Sequence, residues 1–87
     1  MRQLIAGNWK MHGLTAEAEA IAGPLRQAGA LSRDLLVCPP FTQIAAVALL
    51  LRGSGVAVGG QDCHTETHGA HTGDISAPML RALGAAP

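Results

Sequence analysis

Short apolar runs alternate with stretches of helical spacing along this chain, and the alternation repeats three times. The runs predict three short strands, at residues 3–6, 35–38 and 56–60. The second run is continuously apolar, which is typical of a strand covered on both faces of a parallel sheet. The order of strand and helix, three times over, therefore predicts an α/β fold with a parallel sheet and right-handed crossovers.

The first helix is predicted from its apolar spacing and from the residues at its ends. Thr15 is the expected N-cap, and Glu17 lies in the first turn, where the helix dipole favours an acid. Gly23-Pro24 falls inside the pattern and should kink the helix or split it in two. Gly29 is the expected stop.

Two further helices follow from the same reasoning. Thr42 is expected to cap a helix over about 43–52 that is apolar nearly all round, which indicates burial on more than one side. Ser76 is expected to cap the last helix, with Pro78 in its first turn. Before it, residues 61–75 form a long polar loop with three histidines, and loops of this length in compact α/β units are usually functional.

Size and composition limit what the chain can be. Its 87 residues make one small domain at most, or a piece of a larger one, and we take 1–87 as a single unit. The net charge is zero without a basic run, so nucleic acid is not an expected partner. The longest apolar run, 44–51, is too short to span a membrane. The N-terminus lacks a secretory pattern and the two cysteines do not form a CxxC pair, so we expect a cytoplasmic protein with reduced thiols.

Three strands and three helices are too few to form a well-packed domain of this class. Both edges of the predicted sheet are open, and the second helix has apolar surface without a partner. The sequence therefore looks cut from a larger fold that oligomerisation or a partner fragment would complete.

The candidate chemistry begins at the end of the first strand. Lys10 is the single lysine of the chain, whereas five arginines carry the other positive charges. An ammonium is a compact charge with three donors, and it suits a phosphate or a developing oxyanion. Asn8 would lie on the same side of an extended backbone as Lys10 and offers both a donor and an acceptor. The alternative is an exposed lysine beside a loop asparagine.

The histidines and the one cysteine of the long loop raise a metal hypothesis that the sequence does not favour. The group is Cys63 and His64 with His68 and His71. His68 would share a helix face with His64, but Gly69 argues against a helix there. Solvated loop histidines are the preferred interpretation, so neither a metal ligand nor a cofactor is predicted. Cys38 and Cys63 are each expected to be a buried thiol at a strand end rather than a nucleophile.

Several blocks of this sequence resemble the triosephosphate isomerase family, in family order and at family spacing. The resemblance begins at Gly7-Asn8-Trp9-Lys10-Met11 and continues through Cys38-Pro39-Pro40-Phe41, Gly60-Gln61-Asp62-Cys63 and 69–77. It implies the first three βα units of an eight-stranded (β/α)8 TIM barrel, whose active site lies at the carboxyl ends of the strands. The 87 residues correspond to about a third of that barrel.

The resemblance also implies roles for individual residues. Lys10 would be the catalytic lysine that holds the substrate dianion, and Asn8 would help to shape the same pocket. The remaining implied residues belong to the subunit interface of a dimer, where a protruding loop docks near the start of the partner's first loop: Met11, His12, His71, Thr72 and Gly73.

Two functions stay open at this point. The chain is either the N-terminal part of an isomerase acting on triose phosphates, inactive until the missing strands are supplied, or a non-catalytic fragment that self-associates. The family's glutamate base, histidine electrophile and phosphate grip belong to later strands and loops. Lys10 without them could not run proton transfer, so we expect no activity from these residues by themselves.

Overall fold

The computed structural model describes residues 3–28 and 34–86, and its strands form one parallel sheet. The strand order is β1-β2-β3, and both neighbouring pairs are parallel. The predicted alternation of strands and helices is thereby confirmed. In chain order the elements are β1 (Leu4–Asn8), α1 (Thr15–Ala28), β2 (Asp34–Cys38), α2 (Phe41–Leu51), β3 (Ala57–Val58) and α3 (Ala77–Ala82).

The strand boundaries differ from the predicted ones because pairing, not local sequence, sets them. β1 continues through Gly7 to Asn8, since these residues pair with Val37 and Cys38 of β2. β3 is only two residues long, and Gly59 beyond it still donates its N–H to the Val37 carbonyl at 2.8 Å. The first two strands therefore end together, which aligns their carboxyl ends along one rim of the sheet.

α1 is a single helix that runs through Pro24, so the prediction of a split is wrong. The helix also begins one residue earlier than predicted, because Thr15 is its first residue and not its N-cap. The Glu17 carboxylate accepts the Leu14 backbone N–H at 3.1 Å, which satisfies one of the free donors at the helix start. The predicted stop at Gly29 lies outside the described residues.

α2 begins at Phe41 directly after Pro40, and no side chain caps it, so the prediction of Thr42 as cap is wrong. Only one side of this helix is covered within the described residues. Leu49 is 63% exposed on the other side, although the sequence indicated burial on more than one face. Arg26 of α1 holds the helix end, because its guanidinium donates to the carbonyls of Leu50 and Arg52 at 2.9 and 2.8 Å.

The core lies where α1 packs on α2 and α2 packs on β3. α1 contributes small residues there, Ala18 and Ala22, which allow the two helices to approach closely. By contrast, every residue of β1 is exposed, including Leu4 at 65%. The buried apolar set is Ala18, Ala22, Val37, Ile44, Val47, Leu51, Val56, Val58 and Leu80.

The end of the chain returns to the sheet after α3. Ser76 caps this helix as predicted, accepting the Met79 N–H at 3.4 Å. Gly84 then turns the backbone with a φ of 106°, and Ala86 donates its N–H to the Val58 carbonyl at 2.7 Å. The backbone after α3 is therefore hydrogen-bonded to β3. Among the described helices, none is long and apolar enough to cross a membrane.

Gly84→Ala is expected to lower the free energy of unfolding by about 2–3 kcal/mol, since two costs add there. The positive φ disfavours a side chain, and the new Cβ would lie 2.8 Å from the Cβ of Ala48. Gly53→Ala is the matched control, because Gly53 also has a positive φ but nothing lies within 4 Å of its added Cβ. Urea unfolding followed by circular dichroism measures the free energy of unfolding of both variants. Equal losses in the two would refute the predicted clash with Ala48.

Candidate active site

The candidate site is built on the carboxyl ends of β1 and β2. Asn8 and Cys38 are the last residues of these strands and pair with each other. Trp9 extends the pairing by one bond, because its N–H donates to the Cys38 carbonyl at 3.1 Å. Lys10 therefore leaves the sheet at its carboxyl rim, where the sequence predicted it.

The backbone of Lys10 has an uncommon conformation. Its φ is 56°, and it is the one residue other than glycine with a positive φ in the described ranges. Such a conformation costs a residue with a side chain about 1–2 kcal/mol. The Asn8 side chain offsets part of that cost, because its Oδ1 accepts the Lys10 N–H at 2.8 Å. The prediction that Asn8 and Lys10 share one side of an extended strand is wrong, since the chain is no longer extended at Lys10.

Gln61, which was not predicted as a site residue, joins the turn after β1 to the end of β2. Its Nε2 donates to the carbonyls of Lys10 and Cys38, both at 2.8 Å. The two bonds use both N–H groups of one amide, so Gln61 clamps the turn after β1 to the end of β2. The signal in the sequence was its position directly after the third apolar run, where a parallel sheet brings strand ends together.

The arrangement can hold an anion but does not enclose one. Lys10 is exposed, and its three ammonium donors suit a phosphate or a developing oxyanion. The described residues form two large clefts of about 740 and 440 Å³, and neither is lined by Asn8 or Lys10. A closed substrate cavity around Lys10 would need further walls.

The residues assigned to a subunit interface by resemblance lie in two exposed loops. Met11, 93% exposed, and His12 follow Lys10 directly. Thr72 and Gly73 lie at the tip of the 61–75 loop, in a turn closed by the Asp74 N–H on the His71 carbonyl at 3.1 Å. Their exposure agrees with a role in association, which stays a prediction.

The long loop differs from its sequence-based description in two ways. Cys63 is exposed, so the prediction of a buried thiol at this position is wrong. His64 is not fully solvated: its side chain is 26% exposed, and its ring stacks on that of His71. His68 stays exposed, as expected of a solvated loop histidine.

Comparison with known proteins connects this rim to one enzyme family. The family model described as "Triosephosphate isomerase" matches residues 3–86. This chain belongs to the triosephosphate isomerase family. The family resemblance drawn from the sequence motifs is thereby confirmed.

Relatives and solved structures show how much of a triosephosphate isomerase is present. The chain is 53% identical to the triosephosphate isomerase of Gluconacetobacter diazotrophicus, over 97% of this chain and 35% of that protein. It is 58% identical to that of Bradyrhizobium diazoefficiens, over 98% and 35%. It superposes on the crystal structure of triosephosphate isomerase from Bartonella henselae with a TM-score of 0.82 and 41% identity, covering 98% of this chain and 35% of that one. The chain thus spans about a third of the length of these relatives, and its three-stranded sheet is consistent with a partial TIM barrel.

Proposed function

We propose that this chain is the N-terminal part of a triosephosphate isomerase, which interconverts dihydroxyacetone phosphate and D-glyceraldehyde 3-phosphate in glycolysis and gluconeogenesis. The observation that carries the proposal is the left-handed backbone of Lys10, bonded to Asn8 and Gln61 at the carboxyl rim. Strained residues of this kind cluster at active sites. The active sites of (β/α)8 barrels lie at this end of the strands.

In this role the Lys10 ammonium is the catalytic group. It would hold the substrate dianion and stabilise the negative charge that develops on the enediolate oxygen. Asn8 acts on the same pocket through the backbone, since its Oδ1 fixes the Lys10 N–H. Gln61 is a positioning residue, because it fixes the Lys10 carbonyl from the other side.

These 87 residues by themselves are expected to be inactive. Triosephosphate isomerase is itself a standard example of tuned acid–base catalysis, with a glutamate base and a neutral histidine electrophile. The family pattern places both residues, and the phosphate grip, in strands and loops beyond these 87 residues. Lys10 supplies charge and hydrogen-bond donors but no base for the proton transfer.

The test is a coupled turnover assay on the chain alone and on its mixture with the remaining two-thirds of the Gluconacetobacter diazotrophicus relative. We expect turnover at the buffer rate for the chain alone and clear turnover for the mixture. Activity of the chain alone would contradict the requirement for the missing strands. A stable complex of the two pieces without turnover would contradict the isomerase proposal.

A second candidate, a non-catalytic self-associating fragment, is favoured by the apolar surface that the described residues leave uncovered. Leu4 and Ile5 of β1 are 65% and 48% exposed, and Leu49 of α2 is similarly uncovered. Such surface favours a homo-oligomer, in which the 71–73 loop tip would dock near residues 11–12 of another copy. Light scattering tests this, and a sharp monomeric mass with cooperative unfolding would refute it. Both candidates fit a cytoplasmic protein, since Cys38 and Cys63 are free thiols.

A further inference from the structure

We propose that His64, Glu66 and His71 bind a divalent ion of the zinc class, in a site separate from the Lys10 rim. Each of the three side chains offers one donor atom, and these atoms all lie within 4.8 Å of one another. Two imidazoles and one glutamate are a donor set that proteins use for Zn²⁺. The sequence predicted no metal ligand in this loop, and two residues of its candidate group, Cys63 and His68, are not members of this set.

Two of the three donor atoms are already close to the spacing that a metal requires. His71 Nε2 lies 3.0 Å from Glu66 Oε2. With metal–ligand bonds of about 2.0–2.2 Å, two ligands of a tetrahedral ion stand roughly 3.4 Å apart. An ion that displaces the proton shared by this pair can therefore bind both atoms with little movement of either side chain.

His64 must turn to complete the site. Its ring stacks on the His71 ring, with the centroids 4.0 Å apart and an interplanar angle of 24°. An ion lies near the plane of each imidazole that binds it, so two stacked rings cannot share one ion until a ring rotates. In addition, His64 Nδ1 accepts the Glu66 N–H at 3.0 Å, and metal binding through either nitrogen removes that hydrogen bond. The site is therefore expected to bind less tightly than a fully preformed one.

The backbone and a second carboxylate support the closed arrangement. His64 is anchored where its N–H donates to the Ile75 carbonyl at 2.8 Å, and His71 is anchored by the turn at Asp74. The Asp74 carboxylate lies 3.9 Å from His64 Nε2 and is available as a fourth ligand or as an orienting acceptor. Two carboxylates and two neutral imidazoles together balance the charge of a divalent cation.

The consequence is a clamp across the long loop. An ion held by residues 64, 66 and 71 would connect the start of the loop to its tip. Such an ion stabilises the folded loop by mass action, because it binds only the folded form. Imidazole favours zinc, copper and nickel over magnesium or calcium. We therefore expect this site to bind zinc, copper and nickel ions more tightly than magnesium or calcium ions.

The test is a titration of the 87-residue chain with zinc chloride in competition with a chromophoric chelator, with folding checked by circular dichroism. His64→Gln, Glu66→Gln and His71→Gln should each weaken zinc binding by at least about tenfold. His68→Gln and His12→Gln are matched controls, because both histidines are exposed and outside the group. They should leave the affinity unchanged.

Equal weakening by His68→Gln or His12→Gln, or no effect of Glu66→Gln, would overturn the proposal in favour of chelation by exposed histidines. A second measurement needs no variant and so does not depend on folding of the mutants. Zinc added to the unmodified chain should shift the imidazole proton resonances of His64 and His71 and leave those of His12 and His68 in place. Uniform shifts, or none, would also overturn it.

Discussion

A barrel reconstituted from the Lys10→Met chain and the remaining two-thirds of a relative is expected to lose at least about 10²-fold in kcat. Methionine keeps the length of the aliphatic stem but removes the charge and its three donors. Because that charge would act on the oxygen where negative charge develops, the loss should fall on kcat as well as on substrate binding. Steady-state kinetics with dihydroxyacetone phosphate measure both.

Lys10→Gly separates the ammonium from the strained backbone that carries it. Glycine adopts a φ of 56° without steric cost, so the free energy of unfolding should be unchanged or higher by up to about 1 kcal/mol. The same variant should be as inactive as Lys10→Met in the reconstituted barrel. Turnover within threefold of the unmodified protein in either variant would remove Lys10 from the catalytic machinery.

Ile44→Ala is expected to lower the free energy of unfolding by about 2–5 kcal/mol, which is the largest stability effect we predict. Ile44 of α2 is fully buried and belongs to the apolar core that α1, α2 and the strands form. The substitution removes three carbon atoms and leaves a cavity that rigid neighbours cannot fill. Since the free energy of unfolding of natural domains is about 5–15 kcal/mol, a loss of this size can unfold a small domain.

Leu49→Ala is the control for helix propensity and residue size. Leu49 lies on the same helix but is 63% exposed, so its truncation should change stability by less than about 0.5 kcal/mol. Urea unfolding of both variants over a range of protein concentrations completes the comparison. The Ile44→Ala loss should not depend on concentration, whereas a Leu49→Ala loss that grows with concentration would place Leu49 in an interface between copies. Equal losses at low concentration would contradict the buried role of Ile44.

The parallel α/β order was predictable because it depends on periodicity, which the sequence displays directly. The ends of the elements were not, since tertiary contacts decide them. β1 continues past Gly7 because β2 offers pairing partners as far as Cys38. α1 continues past Pro24, which costs one helical hydrogen bond, and its packing on α2 outweighs that local preference.

The candidate site was predictable in its residue types but not in its geometry. A single lysine after an apolar run was visible in the sequence, and so was the asparagine two residues before it. The two hydrogen bonds from Gln61 join residues that are 51 and 23 positions apart in the chain. Long-range contacts of this kind have no local signature. The pairing of Glu66 with His71, only five positions apart, was not foreseen because it depends on the turns of an irregular loop.

The hydrogen bond from Ala86 to Val58 has a consequence for how additional backbone would be laid beside β3. Alternation along a strand has a period of two, so a strand that paired with β3 in the register of this bond would have its inward-facing and outward-facing side chains set by it. For any strand that adds to this edge of β3, the hydrogen bond to Ala86 already fixes the register of pairing. Sliding by a single position would invert its two faces, and this bond is what such sliding would first have to break.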